Sequence, residues 1–295
     1  MPAVTLAELN AANKGGFAAM LGDIYEHAPW VAERAWARRP FENVSALHEA
    51  MMATVRAEPV EERLALINGH PDLAGKAAVA DTMTRDSKAE QASAGLDRLS
   101  AEEFAHFHEL NNAYRQKFAF PFIICVRRHS KDSILRQFER RLHDDATSEL
   151  ETALTEIFRI AALRLDARIE TTQRLKVHGH LSTHILDTHR GKPGGGVSLE
   201  LFELSRSADP RLIVSEITND DGRTSEPLIA GRPLPIGRYE LRFHMGAYFA
   251  RLGLPLADPP FLELIPIQFA IAEPEGHYHV PLLVTPWSYT TYRGS

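Results

Sequence analysis

The sequence lacks most of the features that would tie it to a membrane, a nucleic acid or an oxidising compartment. Cys125 is its only cysteine, so no internal disulfide can form, and the apolar neighbours Ile123, Ile124 and Val126 predict a buried thiol in a reducing compartment. No apolar run approaches the roughly 20 residues of a membrane span. The opening MPAVTLAELN has neither the charged nor the apolar region of a secretory leader. A basic block and an arginine-rich face are also missing. The formal charge is -6 with both signs interspersed, which argues against a nucleic acid or a membrane surface as partner. A cytoplasmic protein acting on a small molecule is the expectation that remains.

At 295 residues and 44% apolar content the chain is long enough for two ordinary cores. It changes character in the stretch KVHGHLSTHILDTHRGKPGGGV, from Lys176 to Val197: helical patterns precede it and strand patterns follow. Within LSTHILD, period-two alternation sets Ser182, His184 and Leu186 on one face and Thr183, Ile185 and Asp187 on the other. The run GKPGGG then forces a turn. A histidine mid-strand beside such a turn can be a satisfied core residue, a metal ligand or an acid–base group.

In the first half, Phe17, Met20, Leu21, Ile24 and Tyr25 recur at helical spacing and predict one helix interrupted by Pro29. A second helix carries Leu47, Met51 and Val55 and is expected to open at Ser45; a third follows Pro59. Proline after His70 biases that histidine toward an extended backbone, in a loop at a helix end where a ligand could reach it. A helix from Ser87 to Ala94 sets Ser87, Glu90 and Gln91 on one face, readable as a polar cluster or simply as a solvated surface. SAEE, from Ser100 to Glu103, is a capping box that starts a helix with Phe104, Phe107, Asn111 and Tyr114. FAFPFIICVRR then predicts a buried loop or short helix. The last helix of this half buries Leu150, Leu154, Ile157, Phe158, Ala161 and Leu165. Arg164 lies on the margin of that face, where an arginine commonly snorkels to water.

After the hinge, VSLELFEL, RLIVSEITN, GRYELRFH, PIQFAIA and HYHVPLLV read as strands separated by turn-like segments, the pattern of a β-sandwich. GAYFARL, Gly246 to Leu252, is the one helix expected there. His277 and His279 share a strand face. With His178, His180 and His184 near in sequence, His-x-His raises a zinc site as one reading, although no spacing fixes a third ligand.

The set HPDLAGK, SKAEQASAGL, FPFIICVR and LRL resembles the 2-oxo-4-hydroxy-4-carboxy-5-ureidoimidazoline (OHCU) decarboxylase family over residues 3 to 167. The resemblance implies an all-helical, cofactor-free fold in which His70 and Glu90 are catalytic. It also implies a substrate pocket of Pro71, Ser87, Gln91, Arg164 and the segment Phe122, Ile123, Ile124, Cys125 and Val126. Loss of carbon dioxide leaves an electron pair that the substrate's own C=N system can accept, so positioning and proton delivery are what the protein must supply.

LSTHILDTHRGKP, TNDDGR, HYHVPLL and the terminal SYTTYRGS resemble 5-hydroxyisourate hydrolase, a transthyretin-like enzyme, over residues 177 to 295. That resemblance implies a metal-free homotetramer whose sites are lined by His184, Arg223, His279 and the tail Tyr292, Arg293, Gly294 and Ser295. Taken together, the chain resembles a fusion of the allantoin synthase type: residues 1–170 an all-α decarboxylase domain, 171–176 a linker, and 177–295 a transthyretin-like β-sandwich. It would act on 5-hydroxyisourate and OHCU without a cofactor. Plant proteins of this arrangement carry a peroxisomal signal in the joining segment, RL, five residues, HL. Here Arg174-Leu175 and His180-Leu181 are four residues apart, which favours a cytoplasmic bacterial protein. A small-ligand carrier and a zinc-dependent cyclic amide hydrolase are the alternatives.

Overall fold

The computed structural model describes residues 3–74, 84–206 and 209–294. The chain divides into two compact units, Met1–Arg127 with Ser133–Val177, and Arg128–Asp132 with His178–Ser295. Helices dominate the first half: α1 Leu6–Ala11, α2 Lys14–Leu21, α3 Pro29–Ala35, α4 Val44–Arg56, α5 Val60–Asn68, α6 Arg85–Ser93, α7 Ala101–Phe118, α8 Lys131–Arg141 and α9 Ala146–Arg168. A minimal parallel pair, β1 (Val4–Thr5) with β2 (Ile169–Glu170), joins its ends.

Capping chemistry sets several of the helix starts. Ser100 makes the expected capping box with Glu103, and Thr5 makes another with Glu8. α4 opens at Asn43, whose side chain accepts the Ala46 N–H at 2.9 Å, so Ser45 is an interior helix residue and not its cap. The helix predicted from Phe17 to Tyr25 ends early. α2 stops at Leu21, the chain turns through residues 22–28, and Pro29 starts α3 at its first position, where a missing N–H costs nothing. Ile24 and Tyr25 are nevertheless buried, so the apolar periodicity reported burial correctly and helix incorrectly.

α9 runs 23 residues and buries Leu150, Leu154, Ile157, Phe158, Ala161 and Leu165 in the first core. Val177 packs with the same core. Residues 120–125 cross that core without regular structure, so their backbone groups need partners. The buried Arg141, itself ion-paired with Glu149, donates to the Ile123 carbonyl at 2.7 Å, and the Cys125 N–H donates to Glu156 at 2.8 Å.

The second unit holds β3 Gly179–Asp187, β4 Lys192–Pro193, β5 Ser198–Leu204, β6 Arg211–Ile217, β7 Ile229–Arg232, β8 Gly237–Phe243, β9 Ile265–Ile271, β10 His277–Thr285 and β11 Ser288–Thr291, with the expected helix at Met245–Arg251. One sheet has the order β6-β5-β8-β9. The other runs β11-β10-β3-β4, with β7 also paired to β3. Leu181 and Ile185 of β3, Val280 and Leu282 of β10, Leu199 and Leu201 of β5 and Leu241 of β8 share one core, the arrangement of a sandwich. Among the described residues no helix is long and apolar enough to cross a membrane.

Candidate functional sites

In the helical half the candidate residues meet around a small cavity of about 30 Å³, lined by His70, Pro71, Leu73, Ser87, Glu90, Gln91, Phe122, Ile123, Ile124, Val126 and Ile160. His70 follows α5 as the proline rule requires, but it is 7% exposed, not open on a loop. Its Nδ1 lies 3.0 Å from the Leu66 carbonyl. A carbonyl only accepts, so Nδ1 carries the proton and Nε2 keeps its lone pair. Burial pushes the imidazole down to about 4, with Arg164 and His27 adding to it against the Leu66 carbonyl and Glu26. His70 is therefore neutral at ordinary pH and equipped to accept a proton.

The loop after His70 is fixed by groups that sequence spacing cannot reveal. Gln91 accepts the Ala74 N–H at 3.0 Å and Asn111 donates to the Leu73 carbonyl at 2.8 Å. Arg115 ion-pairs with Asp72 at 2.9 Å. Gln91 thus shapes the cavity wall while lining it.

Arg164 does not snorkel. It is 8% exposed and ends in a closed set of partners. Nε donates to Glu90 Oε1 and Nη2 to Glu90 Oε2, each at 2.9 Å, while Nη1 donates to Glu26 Oε2 at 3.0 Å. Nη2 also lies 3.3 Å from Ser87 Oγ. Burial opposes the guanidinium charge, but Glu90 and Glu26 more than reverse that and hold Arg164 above its ordinary value. Burial likewise pushes Glu26 up, and Thr84, Arg164 and Ser87 together bring it below the usual carboxylate range. The fork that sequence reasoning offers to a ligand is occupied by Glu90. Arg164 is absent from the cavity lining and acts on it through that carboxylate.

Of the segment 122–126, four residues line the cavity and Cys125 does not. The Cys125 N–H donates to Glu156. Phe122 stacks on Phe138 with ring centroids 3.8 Å apart, fixing that wall. Sequence reasoning missed Leu73, Ile160 and Glu26. Ile160 had a signal, since it precedes Arg164 by four residues and shares its side of α9.

In the sandwich, β3 and β10 pair in parallel with His180 opposite His277, Ser182 opposite His279 and His184 opposite Pro281. One sheet face therefore carries His180, His184, His277 and His279. His279 Nδ1 is 3.0 Å from Ser182 Oγ, and the rings of His180 and His277 meet edge-on at 4.6 Å. Among the described residues no three His, Cys, Asp or Glu side chains converge as a metal site.

The turn after β6 is seated on β3 by Gly222, at φ 71°. A Cβ there would lie 2.3 Å from the Ile185 carbonyl, so only glycine fits. Seating this turn brings Asp221 and Arg223 to His184. Burial and the Arg223 charge lower His184, while the Asp221 backbone and carboxylate oppose them. His279 is lowered by burial first and then by Arg223 and the neighbouring histidines. His184 Nε2 has no hydrogen-bond partner among the described residues.

The tail is only partly at this face. The Gly294 N–H donates to the His279 carbonyl at 2.8 Å. Tyr292 is 56% exposed. Arg293 lies over the Tyr278 ring at 4.5 Å and 3.7 Å from Glu273, so its charge is engaged there and not with His279. Ser295 lies outside the described residues.

Comparison with known proteins finds a match for each half of the chain. Residues 10–166 match the family described as OHCU decarboxylase, and residues 181–294 match the HIUase/Transthyretin family. The first half is 42% identical over 166 residues to the 2-oxo-4-hydroxy-4-carboxy-5-ureidoimidazoline decarboxylase of Halalkalicoccus jeotgali, covering 56% of this chain and 92% of that protein. The second is 50% identical over 117 residues to 5-hydroxyisourate hydrolase 2 of Rhizobium meliloti, covering 40% of this chain and 97% of the relative. A crystal structure of (S)-allantoin synthase aligns with 99% of this chain and 100% of its own, at 36% identity and a TM-score of 0.51. This chain belongs to the OHCU decarboxylase family through its helical half and to the HIUase/transthyretin family through its β-sandwich.

Proposed function

We propose that the chain is a bifunctional enzyme of urate breakdown, in which the sandwich hydrolyses 5-hydroxyisourate to OHCU and the helical half decarboxylates OHCU to (S)-allantoin. The observation that carries this reading is the cavity lined by both a neutral His70 and the Glu90 carboxylate, within a chain that also carries the His184–Arg223–His279 face. In decarboxylation the bond to the carboxylate breaks, its electron pair enters the ring C=N system, and carbon dioxide leaves. The ring nitrogen that receives the pair takes one proton from solvent, and in the enol so formed the substrate hydroxyl loses a proton while the neighbouring ring carbon gains one. His70 and Glu90 share that proton work; each Glu90 oxygen keeps a second lone pair while Arg164 holds the first. Pro71, Ser87, Gln91, Phe122, Ile123, Ile124 and Val126 shape the pocket.

In the sandwich, water attacks the acyl carbon of 5-hydroxyisourate, the C–N bond breaks, and the leaving nitrogen takes a proton. His184 and His279, both biased toward the neutral form, accept and return protons, and Arg223 holds the charge that builds on the acyl oxygen. Tyr292 binds substrate at the mouth of the site. Residues 171–176 join the two domains, the sandwich assembles a cytoplasmic homotetramer, and neither reaction uses a cofactor.

The test is to give fresh 5-hydroxyisourate to metal-stripped protein and follow substrate decay together with the circular dichroism of allantoin. Rapid decay with an optically active product is expected. Activity lost on chelation and restored by zinc would replace the metal-free mechanism, and no turnover would favour a carrier. Light scattering of a monomer at micromolar concentration would overturn the tetramer.

A further inference from the structure

One buried carboxylate in the helical half lies outside the cavity lining and has no role in the chemistry so far. Glu26 sits in the turn between α2 and α3 and is 2% exposed. Its two oxygens go to different elements. Oε2 accepts from Arg164 Nη1 of α9 at 3.0 Å, and Oε1 accepts from Thr84 Oγ1 at 2.7 Å. Thr84 is the N-cap of α6, the helix that carries Ser87, Glu90 and Gln91. Its hydroxyl therefore ties the first turn of that helix to Glu26, and Glu90 follows in the second turn. The backbone near Glu26 also abuts the residue before His70, since a Cβ added at Gly69 would lie 3.6 Å from the Glu26 carbonyl oxygen.

We propose that Glu26 is a positioning residue for the decarboxylation: it fixes Arg164 and the start of α6 together, so that the guanidinium fork holds Glu90 at the edge of the His70 cavity. Arg164 reaches Glu90 through a long, flexible side chain. With Glu26 removed, Nη1 keeps only a 3.4 Å contact with the Ile24 carbonyl. A buried donor without a partner seeks another, and the guanidinium plane turns with it. A displacement of about 1 Å at a reacting group costs on the order of 10² in rate. Stability alone is a poor reason to keep such a cluster, since buried ion pairs contribute little net free energy over well-packed apolar groups. This inference rests on reading the helical half as the decarboxylase.

The experiment measures decarboxylation of supplied OHCU by full-length protein, wild type against Glu26→Gln and Glu26→Asp, over a range of pH. Far-UV circular dichroism on heating reports whether the helical half is folded. For folded Glu26→Gln we expect kcat to fall at least about tenfold with KM changed by less than about threefold, because Glu26 does not line the cavity. The acid limb of kcat/KM should also move to lower pH. Glu90 faces Arg164, which also reaches Ser87; His70 faces the Leu66 carbonyl, Arg164, His27 and Glu26. Removing the Glu26 anion beside His70 disfavours the imidazolium, so the limb set by His70 moves to lower pH. A smaller fraction of native protein would lower kcat and leave the limb in place.

Glu26→Asp keeps the charge but draws it back by one methylene, so it cannot span both partners; kcat should fall at least about fivefold. If Glu26→Gln does not fold, this variant decides. An unchanged kcat in a folded variant, a loss confined to KM, or failure of both variants to fold would each overturn the proposal. Absence of OHCU turnover in the wild type would instead overturn the functional reading, before any variant is compared.

Discussion

Arg164 and Glu90 meet as a two-point fork, Nε on one carboxylate oxygen and Nη2 on the other, both at 2.9 Å and joining side chains 74 residues apart in sequence. Two parallel bonds fix orientation as well as distance, which one bond cannot do. Lysine would keep the charge and lose the fork. Arg164→Lys is therefore expected to lower kcat for OHCU decarboxylation about 10²-fold while 5-hydroxyisourate hydrolysis by the same protein is unchanged. Decarboxylation at the native rate would mean that charge, not geometry, is what Glu90 requires.

His70→Ala removes the neutral imidazole at the cavity and nothing from the sandwich. Supplied with 5-hydroxyisourate, this variant should accumulate OHCU, which then decays slowly to racemic allantoin because an uncatalysed proton transfer cannot choose a face. The rate loss expected from removing one member of a proton-transfer pair is roughly 10² or more. Optically pure (S)-allantoin formed at the native rate would remove His70 from the mechanism.

The His70 imidazole also makes stability depend on pH. Burial lowers it from 6.5 to about 4 in the folded protein, so between these values the unfolded chain binds a proton that the folded chain does not. Stability is therefore complete above about 6.5 and falls as pH drops toward 4, by on the order of 3 kcal/mol across the whole window. Urea unfolding of the helical half at pH 7.5 and pH 5 should show about 2 kcal/mol of that loss, and His70→Gln should reduce the difference between the two midpoints. Equal slopes in both proteins would place the pH dependence elsewhere.

What the sequence made legible followed from local rules. Proline placed His70 just past the end of α5, period-two alternation divided the faces of β3 and β10, and Ser100 with Glu103 marked the start of α7. What stayed hidden depended on contacts between distant segments. Arg164 has the spacing of a helix-margin residue, and only folding brings Glu90 and Glu26 to it, from 74 and 138 residues away. Glu26 was obscured for another reason: the apolar periodicity through Tyr25 runs a helix straight across the turn in which this carboxylate is buried. Arg293 and Cys125 show the converse limit. A short motif names a neighbourhood, but Arg293 turns to Tyr278 and Glu273, and the backbone N–H of Cys125 is taken by Glu156.

The last prediction concerns how the tail reaches His279. Gly294 forms an isolated antiparallel bridge with His279 and donates its N–H to the His279 carbonyl at 2.8 Å. A Cβ built on Gly294 would stand 2.8 Å from Cδ2 of the His279 ring, closer than such atoms approach, and 3.2 Å from its Cβ, which is also tight. The backbone there is anchored by β10, so the ring or the tail must move. His279 is also held through Nδ1 by Ser182, and turning the ring breaks that bond and misdirects the imidazole. Gly294→Ala is therefore expected to lower 5-hydroxyisourate hydrolysis by about tenfold or more, and deletion of residues 292–295 should abolish it. Both variants should keep the wild-type rate on supplied OHCU, because an end segment contributes little to a remote core. A folded Gly294→Ala protein with native hydrolysis would show that the bridge to His279 carries no catalytic geometry.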